Sequence, residues 1–86
     1  MKRMRQAERK RERNQRFRSA ARTYIKRTRR LIAEGELEEA REVAQKAVST
    51  LDRAAAKGIL HHNNVARRKS RLMRQLSQAL GQHLGE

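Results

Sequence analysis

Glycine and proline decide where a chain can break a helix, and here they are nearly absent: there is no proline, and the first glycine is Gly35. Residues 1–34 therefore form an uninterrupted run of Arg, Lys, Gln, Glu, Ala and Met, with a few larger residues, which favours a helix over most of its length. Gly35 is the first position suited to a left-handed stop, and Gly58 is the next. Two such stops in 86 residues divide the chain into three helix-length pieces. The expected fold is all-α: an antiparallel three-helix bundle whose long, basic first helix extends beyond the bundle.

The apolar spacing separates the body of that bundle from an arm. Residues 1–16 carry only Met1, Met4 and Ala7 as apolar side chains, too few for a core-facing stripe. From Phe17 the pattern becomes Phe17, Ala21, Tyr24, Thr28 and Leu31, reinforced by Ala20, Ile25 and Ile32, which is the period of a packed helix ending near Ala33 or Glu34. In the middle piece Leu37, Ala40, Ala44, Ala47, Leu51 and Ala54 make a second stripe, widened by Val43, Val48 and Ala55. Glu36, Glu38, Glu39 and Glu42 near its start and Lys57 at its end complement the helix dipole. Val65, Leu72, Met73, Leu76, Ala79 and Leu80 mark the third helix, with capping groups between His61 and Asn63. One domain is expected over residues 1–86: a projecting arm at 1–16, a bundle at 17–80 and a frayed tail at 81–86.

Charge says what such a bundle would meet. The chain has 23 Lys and Arg against 9 Asp and Glu, a net of +14, distributed as +11 over residues 1–34, −1 over 35–58 and +4 over 59–86. Residues 1–30 alone hold 14 cations and two anions, a density that repels itself unless a polyanion neutralises it. The second helix is expected to face solvent while the first and third face the partner. Each phosphate neutralised by Lys or Arg releases counterions, which gives strong, salt-sensitive binding to nucleic acid. Arg outnumbers Lys 17 to 6, and only the planar guanidinium can clamp a phosphate bidentately or stack on a base. On this ground the expected contacts are Lys2, Arg3, Arg5, Arg9, Lys10, Arg11, Arg13 and Arg16 along the arm. Arg18, Arg22, Lys26 and Arg27 continue them on the outer face of the packed half, and Arg67, Arg68, Lys69 and Arg71 form a second cluster. A helix is too wide for the narrow, deep groove of A-form RNA, so recognition would rest on shape, phosphates and 2′-hydroxyls.

Other classes fit poorly. With no Cys there is no thiolate metal site or disulfide framework. Asp52 is the single Asp, and no Ser or Thr sits in a Gly-rich elbow or P-loop, so neither catalytic residues nor a cofactor or small-molecule substrate is expected. Adjacent His61 and His62 lack a third ligand at helical spacing, which argues against a metal. No apolar run approaches the roughly 20 residues that span a bilayer. An anionic membrane surface remains an alternative, opposed by the absence of a Leu, Phe or Trp face in residues 1–16, and a generic binder of duplex nucleic acid is another. Phe17 and Tyr24 lie on the packing stripe, so core contact is expected of them before base stacking.

Two stretches carry a resemblance. The run AAAKGILHHNNVARRKSRL, residues 54–72, closely resembles the signature of the bacterial small-subunit ribosomal protein twenty family: a Lys-Gly turn, an apolar pair, a His, an Asn two residues on, then Ala-Arg-basic-Lys-Ser-Arg-Leu. NQRFRSAARTYIKRT, residues 14–28, is similar to the family's Asn-basic pattern leading into Thr-Tyr-Ile-Lys-basic, and the intervening segment fits its second helix. His62 stands where Lys is common and Val65 where Ala is usual. The resemblance covers roughly residues 2–80 and meets the standard for ordered motifs. It implies a three-helix cytoplasmic protein, a monomer within the ribosome, which binds small-subunit ribosomal RNA and assists assembly beside other ribosomal proteins. It also favours an RNA contact over a helix cap for His61; Asn14, Lys57 and Asn63, within the same two stretches, are expected contacts as well, and Ser70 a minor phosphate donor.

Overall fold

In the computed structural model the backbone is described for residues 2–84 and the side chains for residues 6–81. Three helices occupy nearly all of it: α1 Lys2–Ala33, α2 Leu37–Ala56 and α3 His62–Leu84. The two glycines end the first two helices as the sequence anticipates. Gly35 and Gly58 have φ of 80° and 73°, a backbone region that carries a steric cost for any residue with a Cβ. Around Gly35 the amide of Glu36 donates to the Leu31 carbonyl at 2.9 Å and that of Gly35 to Ile32 at 3.1 Å. Around Gly58 the amide of Ile59 donates to Ala54 at 2.8 Å and that of Gly58 to Ala55 at 3.0 Å. This paired pattern is the Schellman motif, and it satisfies carbonyls that the helix end would otherwise orphan.

Such tight reversals send the helices up, down and up. α2 lies against α1 along most of its length, α3 packs chiefly on α2, and α1 and α3 meet only sparingly. The core is correspondingly thin. Ala21, Ile25 and Leu31 of α1 meet Ala40, Val43, Ala44, Ala47 and Leu51 of α2 and Val65, Leu72 and Leu76 of α3. The run of buried alanines on α2 lets the helices approach closely, and Leu51 and Leu72 are the largest fully buried apolar side chains. Thr28 is also fully buried, and its hydroxyl donates to the Tyr24 carbonyl one turn back at 2.7 Å, so no polar atom is stranded there.

Two details depart from the sequence pattern. Met73, assigned above to the third stripe, is 46% exposed and faces outward between α2 and α3. α3 continues through Gly81, with no stop at that glycine, to Leu84; residues 85 and 86 lie outside the described residues. A 32-residue helix is about 48 Å long at 1.5 Å per residue, well beyond the 20-residue α2 that packs on it. α1 therefore dominates the 62 Å long axis. Residues 6–13 are exposed on every side, and partial burial begins at Asn14 and Phe17.

Candidate nucleic-acid interface

Helix periodicity selects which cations come together. On α1, Arg22, Lys26 and Arg29 follow one another at i, i+4 and i+7, the spacing that keeps side chains on one face. On α3, Arg71 lies four residues after Arg67 and three after Arg68, so it is a face neighbour of both. Because α1 and α3 run side by side with Ile25 and Val65 turned inward, these two faces meet across a groove of about 310 Å³. Six cations line it with Ile25, and no carboxylate does. Within a Debye length of roughly 8 Å at physiological salt such charges act together, so the groove is built to receive negative charge.

Neutral amides fix two of its guanidinium groups. Arg29 donates from Nε to Gln75 Oε1 at 3.0 Å, across from α1 to α3. Arg68 donates from Nε to Asn64 Oδ1 at 2.9 Å, one turn back on its own helix. Neither amide carries charge, so both arginines keep theirs while their planes are oriented. Arg27, expected above as a contact, is exposed on α1 but does not line the groove.

Several expected contacts have protein partners. Lys69 turns to the opposite side of α3, where its Nζ meets Asp52 Oδ1 at 2.9 Å; it ties α3 to α2 and stays out of the groove. Lys57 lies over the Phe17 ring, 5.1 Å from its centroid, a cation–π contact that seats the α2–α3 turn on α1. Arg18 reaches the same turn and donates from Nη2 to the Ile59 carbonyl at 3.2 Å. His61 caps α3: its Nδ1 accepts from the Asn63 amide at 3.1 Å, and its ring stacks on His62 with centroids 4.4 Å apart. That bond engages Nδ1 within the protein. Asn14 Oδ1 is buried without a hydrogen-bond partner among the described residues.

The arm is simpler. Arg9, Lys10, Arg11, Arg13 and Arg16 are exposed on α1, with Arg16 reaching Glu12 only at 4.0 Å. The side chains of Lys2, Arg3 and Arg5 lie outside the described residues. Asn63 and Ser70 are exposed on α3. Among the described residues no cluster of His, Asp or Glu could hold a metal ion, and no helix is long and apolar enough to cross a membrane.

Sequence reasoning missed Arg29, Asn64 and Gln75. Arg29 sits on the same α1 face as Arg22 and Lys26, so the i+7 spacing could have found it. The two amides gave no signal, because their role depends on which helices become neighbours.

Comparison with known proteins adds independent information. The family model described as Ribosomal protein S20 matches residues 1–77. A protein of Thermomicrobium roseum named small ribosomal subunit protein bS20 is 57% identical over 74 residues, covering 86% of this chain and 75% of the relative. The protein of the same name from Aquifex aeolicus is 44% identical over 81 residues, covering 94% of this chain and 86% of the relative. That from Acinetobacter baylyi is 51% identical over 75 residues, covering 87% and 84%.

Proposed function

The chain belongs to the ribosomal protein S20 family, and on that premise we propose that it is a structural, non-enzymatic constituent of the small ribosomal subunit that binds ribosomal RNA directly and assists subunit assembly in the cytoplasm. The observation that carries the binding reading is the groove of six cations between α1 and α3. Its two walls come from the two sequence motifs, residues 14–28 and 54–72, with Arg29 added. The exposed arm at residues 6–13 extends the same positive surface along α1.

The mechanism is electrostatic positioning. Phosphates of folded RNA enter the groove and lie along the arm, releasing counterions as they do. Arginine planes already oriented by Gln75 and Asn64 meet phosphate oxygens at little further cost in side-chain freedom. Because one helix carries both arm and groove wall, it can hold separate RNA segments at a fixed distance once bound RNA has ordered the arm, which is how binding would favour the assembled fold of the RNA. A net charge of +14 opposes self-association, so the protein acts as one copy, with neighbouring ribosomal proteins as further partners. A membrane role is disfavoured, since Ala7 is the only apolar side chain described on residues 6–16. Co-sedimentation with small ribosomal subunits at high salt tests the proposal: retention supports it, and complete release under conditions that keep the subunit intact would count against it.

A further inference from the structure

The acceptors that hold basic side chains differ inside and outside the groove. Outside it three are carboxylates, Glu34 for Arg30 at 3.1 Å, Asp52 for Lys69 at 2.9 Å and, weakly, Glu12 for Arg16 at 4.0 Å, and the fourth is a backbone carbonyl, Ile59 for Arg18 at 3.2 Å. Inside it, none of the six cations forms an ion pair among the described residues, and the two that are held are held by amides, Asn64 and Gln75. A carboxylate would orient a guanidinium equally well but would cancel its charge. An amide oxygen orients Nε and leaves four N–H donors of the fork, with the full charge, for a ligand.

We infer that this groove is a preorganised clamp for consecutive phosphoryl groups, in which Asn64 and Gln75 are positioning residues that aim Arg68 and Arg29 without neutralising them. The inference rests on the RNA reading for its biological ligand, but the chemistry is that of any linked phosphates, free or in a phosphodiester chain. It has a second consequence. α1 and α3 touch little by themselves and present like charges to each other, so an anion between them joins the helices. Binding should then stabilise the folded bundle.

Conservative substitutions separate this from a packing role. Asn64 is the third residue of α3, where a negative charge suits the helix dipole, so Asn64→Asp should leave the free protein as stable or more so. Gln75 is exposed, so Gln75→Glu should also fold. Thermal unfolding and calorimetric titration would be measured with sodium tripolyphosphate, with a short single-stranded RNA, and with sodium chloride at matched ionic strength. For the unaltered protein, Tm should rise by roughly 10 °C at a hundredfold excess over Kd, well beyond the chloride control. Each of Asn64→Asp and Gln75→Glu should raise Kd about tenfold, as expected for losing one charge-assisted contact. Lys46→Ala, which removes a cation from α2 outside the groove, should leave Kd within about twofold. An effect with tripolyphosphate alone identifies free oligophosphate as the ligand, one with RNA alone identifies the phosphodiester chain, and either supports the clamp. No stabilisation beyond chloride, or equal Kd for all four proteins, overturns it. Ribosomal RNA affinity measured alongside keeps the readings apart: selective RNA binding without the clamp effects sinks only the clamp, and clamp effects without RNA selectivity sink only the RNA reading.

Discussion

Arg18 and Ile59 are 41 residues apart in the chain, yet the Arg18 guanidinium donates to the Ile59 carbonyl at 3.2 Å. This bond fastens the α2–α3 turn to α1 at the root of the arm, and Lys57 over Phe17 reinforces it. A residue expected to meet RNA thus has a structural task as well. Arg18→Ala and Arg18→Met should both lower Tm by about 4–8 °C, corresponding to roughly 1 kcal/mol for a partly buried hydrogen bond. The Met variant keeps the stem and loses only the donor, so thermal unfolding of the pair isolates the bond. Unchanged Tm in both would release Arg18 to the RNA surface.

Lys69 and Arg67 should part company, although sequence places them in one cluster. Lys69→Ala breaks the pair with Asp52, which is partly exposed on both sides, so the loss of stability should be only about 0.5 kcal/mol. A double-mutant cycle with Asp52→Ala would read that coupling, and RNA affinity should change little. Arg67→Ala should do the reverse, weakening RNA binding with Tm intact. Equal effects of the two variants on RNA affinity would contradict the assignment.

The His61 cap predicts a difference between side chains of similar size. His61→Ala removes the acceptor for the Asn63 amide and should cost about 1 kcal/mol, whereas His61→Asn, which can accept the same hydrogen bond, should recover most of it. Chemical denaturation with an unchanged m-value would measure the cost. If Ala and Asn variants are equally destabilised, the ring packing against His62 matters and the cap does not.

The arm is helical without tertiary support. Residues 6–13 are exposed throughout, and an isolated helical segment rich in like charges is marginal in water. Amides there should exchange with solvent orders of magnitude faster than those flanking Leu51 or Leu72, and should slow when RNA binds. Protection of the free arm equal to that of the core would overturn this picture.

Where the helices lie was legible because their signals are local. Gly35 and Gly58 needed only their neighbours to mark the stops, and the spacing of Ala40, Ala44, Ala47, Leu51 and Ala54 identified the buried face of α2. Met73 misled because it lies at the edge of its helix's apolar face, and only the position of α2 decides whether an edge residue is covered. The family was legible in two motifs, and the candidate site only as a density of positive charge. Which cations share a groove was not, because a pattern such as Arg67 to Arg71 says what a helix carries and leaves open what stands opposite. The pairing of Lys69 with Asp52, of Lys57 with Phe17 and of Arg29 with Gln75 all depend on the angle between packed helices, which no local spacing encodes.

We propose that the α1–α3 groove holds phosphates of small-subunit ribosomal RNA. It is tested most directly by the salt dependence of affinity for that RNA, measured for the unaltered protein and for the double variant Arg67→Ala, Arg71→Ala. Each lost phosphate contact should reduce the slope of log K against log salt by about 1. Phosphate binding in the groove predicts a slope shallower by about 2 and an affinity lower by at least tenfold at physiological salt, with Tm unchanged. An unchanged slope and affinity in the double variant would contradict it.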